Sequence, residues 1–201
     1  MNSAGVRLPL TGMGGEVEFA KTFLGGQTMT TRIVLCLLVL TTAAAAGAAE
    51  SGKSATAKII DSLGKTLGTA HFSEKNEGVE VTVKVSGLPP GKHGIHLHEQ
   101  GKCDPPGFST AGGHFNPSAK QHGSMNPGGK HAGDLPNLMV KADGTAEFTA
   151  TAKGATLGDG GGSLLKKGGT SIIIHAGPDD EKTDPSGNSG GRIACGVVTA
   201  Q

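Results

Sequence analysis

A chain of 201 residues with 35 glycines, 10 prolines and neither tryptophan nor tyrosine has room for one domain plus processing segments. Few stretches repeat apolar residues at 3.6-residue spacing, so helix is a minor part of it. A formal net charge of +1, with no stripe of Lys and Arg, excludes nucleic acid as a partner and leaves any attraction for an anion to local charge placement.

Residues 1–28 show no clear element and read as an N-terminal extension of uncertain role, with Met29 a natural start for the next segment. Residues 29–49 have the pattern of an export signal: Arg32, the apolar run Ile33 to Leu40, then small residues to Ala49. The run is too short for a membrane span, so no stable span is expected once the signal is removed near Ala48 or Ala49. Removal takes out three basic and two acidic residues and leaves residues 50–201 formally neutral. Cys36 leaves with the signal, and the two remaining cysteines, Cys103 and Cys195, favour one disulfide in a periplasmic or secreted protein.

The spacing predicts about eight short strands. Ala55 to Asp61 and Thr66 to Ser73 flank a turn at Ser62 to Lys65, and Val79 to Val85 alternates as a strand with one wet face. Leu88-Pro89-Pro90-Gly91 then breaks the chain ahead of a His-rich strand. Leu138 to Lys141 and Ala146 to Ala152 flank Asp143-Gly144, a hairpin signal, and Ser171 to His175 and Ile193 to Thr199 complete the set. The fold class is all-β, an antiparallel eight-stranded Greek-key sandwich or barrel. Two connections are long, Gln100 to Asn137 and Ala176 to Gly191. Both open beside a His-bearing strand end, which marks them as functional loops.

The stretch His93-Gly94-Ile95-His96-Leu97-His98-Glu99 carries the first chemistry. With period-2 alternation, His96 and His98 share one face while Ile95 and Leu97 share the other, and His93 has the apolar parity. Further along come His114, His122, His131 with Asp134, and His175 at the end of an apolar strand. Only His71 lies outside this set, as an ordinary surface residue. Seven histidines and one aspartate suffice for two metal sites, an all-imidazole one suited to copper and a three-His-one-carboxylate one suited to zinc. A single zinc site of the storage kind is the alternative that spacing alone leaves open.

Six motifs carry a resemblance: Gly91-x-His-Gly-x-His-x-His-Glu99, Ala111-Gly-Gly-His-Phe-Asn-Pro117, His122-Gly123, His131-x-Gly-Asp134, His175-Ala-Gly-Pro-Asp-Asp180 and Gly187-Asn-Ser-Gly-Gly-Arg-Ile-Ala-Cys-Gly196. In order and separation they resemble the copper–zinc superoxide dismutases of exported bacterial type, over essentially all of residues 55–201. The resemblance implies one copper and one zinc ion per subunit. It makes His96, His98, His114 and His175 the copper ligands and His114, His122, His131 and Asp134 the zinc ligands, with His114 bridging. It also implies that Asp179 hydrogen-bonds a ligand of each metal and that His93 braces the ligand loops. Arg192 receives the anion, and Cys103 pairs with Cys195. Ser186 stands where many relatives have threonine, and the lip Asp180, Glu181, Lys182 and Asp184 shapes the local field. The implied reaction is disproportionation of superoxide to dioxygen and hydrogen peroxide by copper redox cycling, with Arg192 and His114 as the catalytic pair and zinc holding His114 and its loop. The rival reading is a non-catalytic copper- and zinc-binding or copper-delivery domain on the same fold. A homodimer is left open.

Overall fold

In the computed structural model, which describes residues 52–201, the alternating valines set the pattern of the sheet. Val79, Val81, Val83 and Val85 all face the core from strand β3 (Gly78–Val85), while Thr82 and Lys84 face outward. Strand β3 pairs in antiparallel register with β2 (Thr66–Lys75) on one side and β7 (Ala146–Lys153) on the other. Strand β2 pairs with β1 (Ser54–Asp61) across the Ser62–Lys65 turn, where Asp61 accepts the Leu63 and Lys65 amides through its carboxylate. The expected export signal and N-terminal extension lie outside the described residues.

The His-rich segment is two strands. Strand β4 (Gly91–His93) pairs with β6 (Leu138–Val140), and β5 (Ile95–His98) pairs with β8 (Ser171–His175). The switch of partner falls at Gly94, whose N–H donates to the Gly177 carbonyl and whose carbonyl accepts from the His175 N–H, both at 2.8 Å. A side chain there has no room: a Cβ on Gly94 falls 2.8 Å from Ser189 Cβ and 3.2 Å from the His96 ring. Strand β9 (Arg192–Val197) joins β8 to β1, and after a break at Val198 the chain continues as β10 (Thr199–Ala200), which also pairs with β1. The main sheet therefore runs β5-β8-β9-β1-β2-β3-β7, with β4-β6 as a second, two-stranded sheet continuing from it through Gly94.

The hairpin expected at Asp143-Gly144 does not form as a ladder: β6 pairs with β4 and β7 with β3, so the turn between them carries the chain from the small sheet to the edge of the large one. The expected eight strands become ten because the His-rich and last strands are each divided once. The β6–β7 turn is the one expected at Asp143-Gly144, closed by the Thr145 amide and hydroxyl on the Asp143 carboxylate. The core draws on both sheets, with Phe72, Ile59, Ile95, Leu97, Leu138, Ile172 and Ile174 fully enclosed. Each such side chain contributes roughly 2–3 kcal/mol by leaving water.

The two expected long loops are present, and there is a third. Residues 154–170 join β7 to β8 and pack Ala155, Leu157 and Leu164 into the core. Glu74 holds this loop by accepting from the Thr156 hydroxyl at 2.9 Å and from the Leu157 amide. Its glycines mask a segment that is anchored at both ends. The first long loop contains a single 3₁₀ turn, Ser109–Ala111, and is tied to β9 by the Cys103–Cys195 disulfide. Phe108, Ala111, Ile173 and Cys195 form a small second core beneath it.

Candidate metal centre

Strand β5 has β8 on one edge and the first long loop on the other. Leu97 N–H donates to Gly133 O (2.9 Å), Gly133 N–H to Phe115 O (2.9 Å), and Phe115 N–H to Leu97 O (2.8 Å). The loop thus lays its own His- and Asp-bearing turns against the strand, bringing His114 opposite His98 and Asp134 opposite His96. A Cβ on Gly133 falls 2.4 Å from the Leu97 carbonyl, so only glycine permits this contact. Because the loop roofs the His face, all four residues of β5 are buried, not only the apolar pair.

Six histidines and two aspartates meet there. His96, His98, His114 and His175 each offer a ring nitrogen within 4.8 Å of the others, and so do the side chains of His114, His122, His131 and Asp134. In the first set, each imidazole uses one nitrogen on the protein. His96 Nε2 donates to Asp179 Oδ2 (2.8 Å), His98 Nδ1 to Gly112 O (3.0 Å) and His175 Nδ1 to Gly190 O (3.1 Å), while His114 Nδ1 lies 2.8 Å from Asp134 Oδ1. The other nitrogens, His96 Nδ1 and Nε2 of His98, His114 and His175, are buried without a hydrogen-bond partner among the described residues. Buried polar atoms seldom go unpaired, and four around one point fit a metal ion.

The second set closes around Asp134 Oδ1. His114 Nδ1, His122 Nδ1 and His131 Nδ1 lie 2.8, 3.1 and 3.0 Å from it, and His131 Nδ1 is 3.4 Å from His114 Nδ1. A tetrahedron with bonds of ~2.0–2.1 Å has edges of about 3.3 Å, so zinc fits with little rearrangement. The other carboxylate oxygen, Oδ2, accepts the Gly123 and His131 amides, both at 3.0 Å, which leaves Oδ1 aimed at the nitrogens. His114 is common to both sets, one nitrogen in each.

Electrostatics favour unprotonated rings at His98, His114 and His175. Burial, reinforced by neighbouring imidazoles, pushes His98 down to about 2 and His175 to about 3. Burial likewise takes His114 to about 4 despite the opposing Asp134 bond. For His122 burial also opposes charge, but bonds to Asp134 and Asp179 outweigh it and raise the ring to about 9. Asp134 and Asp179 are held well below the usual carboxylate range: burial works the other way, and hydrogen bonds from the histidines and backbone amides overcome it.

Asp179 spans the two sets, taking His96 Nε2 on Oδ2 and His122 Nε2 on Oδ1 (3.0 Å). His93 places Nδ1 2.7 Å from the His175 carbonyl and Nε2 2.8 Å from the Pro89 carbonyl, between the end of β8 and the turn ahead of β4. Arg192 is the first residue of β9, not a residue of the loop. It pairs with His175 across a bulge that leaves Ile193 unmatched, and bulges re-aim side chains. Its Nη1 and Nη2 donate to the Phe108 and Gly112 carbonyls (2.8 and 2.7 Å). A cavity of about 220 Å³ opens between His98, His114, His175 and Arg192, with Pro185 and Ser186 also in its lining. His71 is exposed on β2, away from the cluster.

The profile of copper/zinc superoxide dismutases matches residues 66–198. The chain belongs to the copper/zinc superoxide dismutase family. It is 48% identical over 144 residues to Superoxide dismutase [Cu-Zn] 1 of Aquifex aeolicus, covering 71% of this chain and 85% of that protein. Over 144 residues it is 42% identical to a superoxide dismutase-like protein of Bacillus subtilis, covering 70% and 74%. Among solved structures, the Cu/Zn superoxide dismutase of Brucella abortus superposes with a TM-score of 0.59 at 33% identity, over 73% of this chain and 99% of that one. The superoxide dismutase-like protein of Bacillus subtilis gives 0.70 at 39%, over 72% and 97%.

Within this superoxide dismutase fold, several residues at the centre have tasks that the motifs and the sequence around them do not reveal. Gly112 supplies one carbonyl to both His98 and Arg192, and Phe108 supplies Arg192 its other acceptor. Gly187, at φ +64°, lets the second long loop press onto Asp179: a Cβ there falls 1.7 Å from Oδ1 and 2.7 Å from His122 Nε2. The acidic lip is also less free than expected. Asp184 accepts the His122 amide at 2.5 Å, Glu181 accepts the Ser124 hydroxyl, and Asp180 accepts the Lys182 and Thr183 amides. These three carboxylates bind loop to loop or loop to itself, and Lys182 stays exposed.

Proposed function

We propose that this chain is a superoxide dismutase, taking two superoxide anions and two protons to one dioxygen and one hydrogen peroxide. The observation that carries the reading is the set of four buried, unpartnered imidazole nitrogens beside a second set that closes on one carboxylate oxygen. His96, His98, His114 and His175 hold copper; His114, His122, His131 and Asp134 hold zinc. Bound copper supplies reversible one-electron chemistry and bound zinc a fixed positive charge.

The chain supplies the rest. Arg192 has five N–H donors and uses two on carbonyls, which leaves three to receive and orient a small anion in the cavity over the copper set. His114 keeps Nδ1 with the zinc set while Nε2 holds a proton in one half of the cycle and gives it up in the other. Asp179 fixes the His96 and His122 rings in one tautomer, as carboxylates behind metal ligands do. The protein is exported, and residues 29–49 are its signal. A copper-delivery domain has no need of an arginine at the mouth of the ligand cluster, and this one is held there by two carbonyls.

Metal analysis of protein purified from its native host, together with superoxide consumption, tests the reading. One copper and one zinc per chain with rapid consumption is the expected result. Full metal content without consumption points to the delivery domain. N-terminal sequencing of the same material is expected to begin near Ala49 or Glu50.

A further inference from the structure

Asn137 is the last residue of the first long loop, immediately before β6, and the proposed chemistry gives it no task. Its side-chain amide nevertheless grips the main chain of Asp179 from both sides. Asn137 Oδ1 accepts the Asp179 N–H at 2.8 Å, and Nδ2 donates to the Asp179 carbonyl at 2.9 Å. Among the described residues, the Asp179 main chain makes no other hydrogen bond. The carboxylate of Asp179 is fully engaged in turn, by His96 Nε2, by His122 Nε2 and by the Glu181 amide at 2.6 Å.

We propose that Asn137 is a positioning residue that transmits filling of the zinc set to the loop 176–191. The inference rests on the metal reading above. Asn137 lies three residues beyond Asp134 in the chain, and its root is fixed by the β4–β6 pairing that starts at Leu138. His122 and Asp134 would hold zinc and be fixed by it; His122 holds the Asp179 carboxylate, and Asn137 holds the Asp179 backbone. With side chain and main chain both held, Asp179 has one orientation, and the segment beyond it is directed back over the centre. That segment brings Gly187 onto the Asp179 carboxylate and places Pro185 and Ser186 at the cavity over the copper set. Without the amide clamp, zinc still fixes the carboxylate, but the backbone of Asp179 is free to turn about it.

The test uses metal-stripped, disulfide-bonded protein titrated with zinc alone, in wild type, Asn137→Ala and Asn137→Asp. The aspartate preserves size and the bond to the Asp179 amide but sets an oxygen against the Asp179 carbonyl, so it reports on the clamp even if alanine folds poorly. Three readouts apply: chelator competition for zinc affinity, the visible spectrum of the cobalt-substituted site, and amide exchange with and without zinc. In wild type, zinc is expected to slow exchange both at 122–134 and at 179–191. In the variants, zinc affinity is expected to fall roughly 10–100-fold, as for other groups that orient ligands. The cobalt spectrum is expected to shift, and the zinc-dependent slowing to persist at 122–134 but vanish at 179–191. Equal zinc affinity, or exchange raised by the same factor with and without zinc, reduces Asn137 to a loop tether and overturns the proposal. Wild type that binds zinc normally beside an unaffected variant overturns this inference alone; wild type that takes up no zinc overturns the metal reading with it.

Discussion

Replacing Cys103 and Cys195 together by alanine removes a cross-link between residues 92 positions apart. In the chain-entropy model, closing a loop of that length costs the unfolded chain about 4.6 kcal/mol, all of which the native state gains in relative stability. For a domain of this size each kcal/mol shifts the melting temperature by roughly 2–4 °C, so a fall of about 9–18 °C is expected. The structure adds a functional consequence. The chain just past Cys103 carries Phe108 and Gly112, whose carbonyls hold Arg192. Phe108 is seated in the small core that Cys195 helps to form. Cutting the disulfide therefore loosens both acceptors of the arginine while leaving every metal ligand in place. Denaturant unfolding of the metal-loaded double variant measures the first effect, and superoxide consumption at fixed copper and zinc content measures the second. A stability loss below about 1 kcal/mol means the unfolded chain is already compact, and the entropic reasoning fails for this protein. Unchanged activity means Arg192 is held without help from the 104–112 segment.

Arg192→Ala is expected to keep both metals and the fold but lose most activity, with Arg192→Lys retaining more because only the fork of donors is lost; rising salt should slow the wild type. An alanine variant with full metals and an unchanged rate shows that the anion is captured elsewhere. His114→Ala removes a ligand from both sets and is expected to lower copper and zinc content together, whereas His122→Ala lowers zinc alone; normal content of both metals in His114→Ala, by elemental analysis, refutes the shared position. Metal-stripped protein is expected to lose stability as pH falls below the ordinary histidine value of 6.5, because the unfolded chain takes up protons that His114, His175 and His98 refuse until about 4, 3 and 2. Asp134 and Asp179, held below the carboxylate range, add to the acid loss. His122, raised to about 9, acts on the other side: its contribution is whole below 6.5 and disappears as pH rises through 9. Denaturant midpoints flat from pH 6.5 to 3 contradict that assignment.

The clustering of these residues was legible in part through a local rule. His96 and His98 share a face by alternation alone, and the resemblance, with its separate motifs, named the rest. The strand's interruption was not legible. Gly94 looks like any glycine until β6 and β8 are known to compete for the same strand. The bulge that re-aims Arg192 likewise depends on how β9 meets β8. The loop 154–170 is easily passed over because its glycines are conspicuous in sequence, while Leu157 and Leu164, which seat it, are not. Asn137 carried the one signal that was available and unused, a polar side chain at the junction of a ligand loop with a strand. Nothing local indicates that its partner lies 42 residues further on.

The three-bond ring joining Leu97, Gly133 and Phe115 has a meaning apart from ligand placement. It gives β5 a second neighbour, so a short, wholly buried strand presents no open flank. Flanks of that kind template pairing with other chains. The segment that gathers the histidines is thus also a guard against self-association. A molecule whose first long loop has lifted away offers Leu97, its amide and carbonyl newly idle, to the next copy that has done the same.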